Sequence, residues 1–105
     1  MNIEDYYDYC LSLKGSKEHM PFDKKTLVFK VKNKIYTLTN IENFEFINLK
    51  CNPEKALELR ERYHSVKPGY HMNKKHWNSI YIKGNDINNN LIKEWILDSY
   101  NLVSK

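Results

Sequence analysis

Apolar residues recur at Ile3, Tyr6, Tyr7, Cys10 and Leu11. This i, i+3, i+4, i+7, i+8 spacing lines one stripe of an amphipathic helix. Asn2 stands where a cap is needed, and Glu4 and Asp5 suit the positive end of the helix dipole. Gly15 is expected to end this helix, and Lys14–Asp23, with its Gly, Pro and mixed polar residues, reads as a loop. From Thr26 the period falls to two. Leu27, Phe29 and Val31 share one face of a strand, and Val28, Lys30 and Lys32 share the other. Asn33-Lys34 predicts a tight turn, Ile35–Thr39 a returning strand and Phe44–Cys51 a third, together an antiparallel meander.

Asn52-Pro53-Glu54 combines a capping side chain, a proline at the first helical position and an acid. The helix it opens is expected to reach about Tyr63, with Ala56, Leu57, Leu59 and Tyr63 available for packing. Trp77–Lys83 alternates again, with Ile80 and Ile82 on one side. Gly84-Asn85 breaks this strand, and Asp86 is expected to cap a last helix over about Ile87–Val103, with Leu91, Trp95 and Leu102 along its apolar face. The order α-β-β-β-α-β-α contains no βαβ alternation and no repeat. It predicts an α+β fold, a two-layer sandwich of an antiparallel sheet with helices on one face. At 105 residues the chain fits one domain, 1–105.

Composition adds that the core should be built around rings, since eight Tyr and four Phe supply much of the apolar content. No stretch approaches the roughly 20 apolar residues of a membrane span. The acidic, amphipathic start MNIEDYYDYC is unlike a secretory signal, so a cytoplasmic protein is expected. Cys10 and Cys51 form no C-x-x-C pair and are expected to be free thiols. A monomer is the favoured state.

The net charge of +4 suggests an anionic partner. Lys, Asn, Ile and Tyr are also what AT-rich codons encode, so the placement of charge weighs more than its total. No acid occurs between Glu61 and Asp86, while Arg62, Lys67, Lys74, Lys75, Lys83, His64, His71 and His76 fall in that interval. A second acid-free run, Lys24–Lys34, holds five lysines, among them Lys30 and Lys34. Acids gather instead in the terminal helices, so the molecule should be electrically lopsided.

The interval Val66–Ile82, VKPGYHMNKKHWNSIYI, interleaves cations with Tyr70, His71, His76, Trp77 and Tyr81. Cations attract phosphates, exposed rings stack on unpaired bases, and Asn73 or Asn78 has the donors and acceptors that base edges require. Each residue also has a plain structural use. Trp77 suits a core or rim position, Pro68-Gly69 a turn, and Lys30 a solvated strand face. Lys74-Lys75, in an expected loop, is the pair that packing explains least.

Catalytic and metal chemistry find little footing. His64, His71 and His76 match no helical H-x-x-x-H pair, and no Cys lies nearby to complete a zinc set. Cys51 precedes a helix N-terminus, where a thiol can be activated, but shares its strand face with Ile47 and Leu49. No nucleophile elbow, P-loop, dinucleotide fingerprint or paired-carboxylate motif occurs. The chain is expected to be a binder, not an enzyme, and to need no cofactor or metal.

At PFDKKTLVFKVKNKIYTL and again at LKCNPEKALELRERYHSVKPGYHMNKKHWNSIYI, the chain resembles the MmcQ/YjbR family of small bacterial proteins. The resemblance spans nearly the whole chain and is most specific at VKPGYHMNKKHWNSIYI, with KCNPE in support. It implies a CyaY-like fold and a DNA-binding role through a "double wing", with no catalytic residues. By position its signature covers Pro68, Gly69, His71, Asn73, Lys74, His76 and Trp77, and the wings would be the turns at Asn33-Lys34 and around Gly84. Asn33 departs from the Gly frequent at that turn, although Asn reaches the same backbone conformation.

The leading expectation is therefore a DNA-binding domain, with a regulatory role left open. Its contacts would come from Lys30, Lys34, Lys67, His71, Asn73, Lys74, Lys75, His76 and Trp77, with duplex and single-stranded targets both open. The alternatives are a protein-interaction module that docks partners along a sheet edge, and a small-molecule or metal site near His71 and His76.

Overall fold

The computed structural model describes residues 1–105. Helix α1 is Ile3–Ser12, with the Asn2 side chain accepting the Asp5 N–H at 2.8 Å. Helix α2 is Pro53–Arg62, where Asn52 accepts the Glu54 N–H at 3.0 Å and Pro53 takes the first turn. Helix α3 is Asn89–Val103, and its cap corrects the expectation of Asp86. Asn88 accepts the Leu91 N–H at 2.8 Å, because the Asp86 carboxylate is engaged by the Ser65 hydroxyl and backbone N–H.

Six strands form one antiparallel sheet: β1 (Lys17–His19), β2 (Thr26–Val31), β3 (Lys34–Asn40), β4 (Phe46–Lys50), β5 (Val66–Pro68) and β6 (Trp77–Tyr81), in the spatial order β1-β2-β3-β4-β6-β5. The α+β architecture with helices over one face is as expected. Two three-residue strands were not: β1 lies inside the expected loop Lys14–Asp23, and β5 takes in Pro68 of the expected Pro68-Gly69 turn. The β2–β3 hairpin turns on Lys32 and Asn33, both with positive φ (50° and 64°), one residue earlier than expected. Two successive left-handed residues make the turn whose twist matches the strands it joins.

Register assigns the two faces. Leu27, Phe29, Ile47, Leu49 and Ile80 face the helices and join Tyr6, Cys10, Ile92, Trp95 and Ile96 in one core. The register slips between Phe29 and Lys30, leaving Tyr36 as a bulge. A bulge places two successive residues on one side, and Tyr36 and Thr37 both meet helices. Thr37 donates its hydroxyl hydrogen to the Asn48 carbonyl at 2.9 Å, so the buried Tyr6 hydroxyl, 2.9 Å away, is the donor to Thr37. Tyr36 reaches the Cys10 carbonyl at 3.2 Å and packs edge-on against Tyr100.

Beyond the bulge the β3–β4 ladder stops at Thr37 and Leu49. Ser99 of α3, wholly buried, fills the gap by accepting the Lys50 N–H at 2.9 Å and donating to the Tyr36 carbonyl at 2.6 Å. Two buried backbone groups that the bulge would otherwise orphan are thereby paired.

Candidate nucleic-acid interface

The face of the sheet away from the helices carries Lys17 and His19 of β1, Val28 and Lys30 of β2, Ile35 and Leu38 of β3, Phe46, Asn48 and Lys50 of β4, Lys67 of β5, and Trp77, Ser79 and Tyr81 of β6. The segment Gly69–His76 joins β5 to β6 and folds over one end of this face. Asn48 and Ser79 hold it there. The Asn48 amide donates to the Tyr70 carbonyl at 3.3 Å, Ser79 accepts the Tyr70 N–H at 2.9 Å, and Ser79 in turn donates to Asn48. From the helix side, Arg60 of α2 donates to the Asn78 side chain at 2.7 Å, to the Trp77 carbonyl at 3.2 Å and to the Lys74 carbonyl.

This network changes the meaning of the residues expected to touch a ligand. Lys74 is anchored, its ammonium donating to the Gly69 carbonyl at 2.9 Å. Asn73 spends its side-chain oxygen on the Lys75 and His76 N–H groups, forming a turn of its own. Asn78 is buried, with both ends of its amide bonded, to Arg60 and to the Ala56 carbonyl. Trp77 is 9% exposed, and a Cβ added at Gly69 would stand 2.7 Å from the Trp77 Cβ, so ring and turn fit only because residue 69 is glycine. Trp77, expected as a contact residue, and Asn78 are therefore buried in the fold, whereas Asn73 and Lys74 help to shape the loop and stay exposed. Gly84 forms no hairpin tip: it leads from β6 toward α3, and a Cβ there would lie 1.5 Å from the Ser65 hydroxyl oxygen.

Lys34, Lys67, His71, Asn73, Lys74 and Lys75 are exposed, and Lys30 and His76 half-exposed. They fall into three groups. Lys30 lies on the β1–β2 side and Lys34 at the β2–β3 tip. Lys67 lies roughly 19 Å from Lys30, four strand spacings across the sheet. Lys75 lies beside α2, near Pro53 and Leu57. The hairpin tip at Lys32–Lys34 and the Gly69–His76 loop project from the same end of the sheet, because β3 and β6 each pair with β4 near Leu49 and Lys50 at that end.

An aromatic cluster borders the loop. Phe46 packs 5.6 Å from Tyr70 and 5.1 Å from Tyr81, and the Tyr70 ring lies 4.1 Å from His71, which takes a positive φ of 57°. Tyr70 is 55% exposed. Lys17, His19 and Arg60 are residues that the sequence reading did not single out. Lys17-Glu18-His19 offered the signal of a charged alternation before a basic strand, whereas nothing local marks Arg60.

Thiol chemistry is suppressed. Burial pushes the Cys10 thiol up to about 12 and raises Cys51 as well, despite Lys55 nearby. No group of three or more His, Cys, Asp or Glu side chains converges, so His64, His71 and His76 do not form a common metal site. No helix is long and apolar enough to cross a membrane.

The YjbR family model matches residues 11–102. The uncharacterized protein YbdF of Escherichia coli O157:H7 is 48% identical over 84 residues, covering 79% of this chain and 68% of that protein. The uncharacterized protein YjbR of Escherichia coli K12 is 32% identical over 85 residues, covering 80% and 72%. The crystal structure of DR2400 from Deinococcus radiodurans, a DUF419-domain protein, superimposes with a TM-score of 0.92 at 40% identity, covering 99% of this chain and 79% of that one. A Pseudomonas syringae crystal structure gives 0.82 at 29% identity, covering 98% and 99%. With the family model spanning nearly the whole fold and these relatives sharing it, the chain belongs to the YjbR family.

Proposed function

We propose that the protein binds DNA at the end of the sheet where the β2–β3 tip and the Gly69–His76 loop project, the two acting as a pair of wings. The observation that carries this reading is a segregation of charge. The strands hold Lys17, Lys30, Lys34, Lys50 and Lys67 against a single acid, Glu18, which turns to the helix side to meet the Tyr7 hydroxyl. The helices hold Glu4, Asp5, Asp8, Glu54, Glu58, Glu61, Glu94 and Asp98 against Lys55, Arg60, Arg62 and Lys93. A field pointing this way orients a polyanion toward the open face and its loops. In this reading the protein positions and binds, and catalyses nothing.

The test is a titration of labelled duplex and single-stranded DNA at two salt concentrations, about 50 and 200 mM. Binding that persists near physiological salt supports the reading, whereas loss of all affinity there reduces it to ordinary electrostatic attraction and overturns it.

A protein-docking role has its own observation: Met20 and Ile41, about two-fifths exposed, border a hollow lined by Ile3, Tyr7 and Leu27 and rimmed by the acids Glu4, Asp8 and Glu18. Sheet extension is disfavoured at both margins. β1 is three residues long and charged, and β5 ends in Pro68, which has no N–H to offer.

A further inference from the structure

Lys17 and Lys30 stand directly opposite one another on β1 and β2. Side chains in such a pair leave the backbone about 5 Å apart, and like charges there destabilise a sheet. His19 lies on the same face two residues along, and Lys32, Asn33 and Gly15 complete the wall of a hollow of about 470 Å³ that contains no apolar residue and no acid. Strand alternation sends the one neighbouring carboxylate, Glu18, to the opposite face, where Tyr7 holds it. The ion pairs of the chain are Lys25–Glu42 and Lys55–Glu58, so none of the three lysines here has an acidic partner.

We infer that this hollow is a phosphate-binding site, in which Lys17, Lys30 and Lys32 converge on one anionic group beside His19. An ammonium group has three donors and no acceptor, so three of them around a space walled without carboxylates select a multiply charged oxyanion. The bound anion also supplies the counter-charge that the Lys17–Lys30 pair lacks, which couples occupancy to stability. The shared chemistry is a phosphate group, either on a nucleic-acid strand or free as phosphate or pyrophosphate. The first source rests on the DNA reading above, and the second stands without it.

The experiment is an amide NMR titration of the full chain with pyrophosphate, against sodium chloride at matched ionic strength, for the wild type and for Lys17→Gln with Lys30→Gln. The expected result is saturable shifts confined to residues 15–19 and 30–33, absent with chloride and lost in the variant. Shifts that do not saturate, or that chloride reproduces, overturn the site. Without ligand, the variant is expected to melt about 1–4 °C above the wild type, because the repulsion is gone; a lower melting temperature contradicts the unpaired-charge argument.

A DNA titration of the same variant separates the sources. An affinity loss of about tenfold, beyond that of a control with Lys25→Gln and Lys55→Gln, places the site on the nucleic-acid path. Pyrophosphate binding together with unchanged DNA affinity assigns the hollow to a free anion and leaves the wing reading to stand or fall on its own titration.

Discussion

Arg60 and Asn78 meet across the gap between helix and sheet, Nε to side-chain oxygen at 2.7 Å, and this contact fixes the loop that carries the family's most specific residues. The same guanidinium also holds the Trp77 and Lys74 carbonyls, so one side chain ties the end of the loop to the start of β6. Arg60→Ala leaves the buried Asn78 oxygen without its donor and is expected to cost about 2–3 kcal/mol in urea unfolding. Arg60→Lys is expected to restore little, since a single ammonium cannot span the fork. A cost under about 0.5 kcal/mol for Arg60→Ala would show that the loop is held elsewhere.

Gly69→Ala is expected to destabilise by about 1–3 kcal/mol and to change the near-ultraviolet signal of Trp77, because the added methyl overlaps the Trp77 Cβ. A crystal structure or NMR spectrum of that variant with an unmoved loop would contradict the crowding argument.

Lys67 and Lys75 carry exposed charge without a structural bond, unlike Lys74. Replacing both with alanine is expected to weaken DNA binding about equally across sequences and to reduce the salt slope by about two. Lys74→Ala should instead lower stability along with affinity, so thermal melting distinguishes the two variants. An unchanged slope in that double variant removes Lys67 and Lys75 from the interface.

Hydrogen bonds from Ser65 hold the Asp86 carboxyl below the usual carboxylate range, and the Lys25 and Thr26 N–H groups do the same for Asp23. A carboxyl depressed in the folded state adds stability that is complete above its unfolded pKa and is lost as pH falls through the folded value. Asp86→Asn should therefore melt below the wild type at about pH 7, with the gap narrowing as pH falls below the ordinary Asp range of about 4. A gap of constant size across that range would mean that the charge of Asp86 contributes nothing.

Both thiols are raised by burial, so neither is primed as a nucleophile. Native protein is expected to label slowly at Cys51 and not at Cys10 with a disulfide reagent at about pH 8, reaching two thiols only on unfolding. Rapid labelling of Cys51 would reopen a reactive-thiol role.

What the sequence made legible was local. Asn52-Pro53-Glu54 carries its own cap and start, and Thr26–Val31 announces its faces by alternation, so both elements could be placed without tertiary knowledge. β1 could not, because Lys17-Glu18-His19 has no apolar period and becomes a strand only by borrowing the edge of β2. Asp86 and Asn88 are equally good caps in isolation, and the choice was made by Ser65, 21 residues upstream. The internal bonding of the loop was hidden for the same reason. Asn73, Lys74 and Asn78 have the chemistry of ligand contacts, yet much of their bonding is spent inside the fold, partly on Arg60, 14 residues before Lys74 and 18 before Asn78.

The two short margins of the sheet bear on how the molecule behaves in company. A polyanion concentrates whatever binds it, bringing many copies shoulder to shoulder at an effective density far above that of the surrounding solution. A protein with a long bare strand at its border would then be prone to zip onto its neighbour. Here one border presents Lys17, Glu18 and His19 and the other stops at Pro68, so copies crowded together, as the proposed DNA binding would crowd them, stay separable.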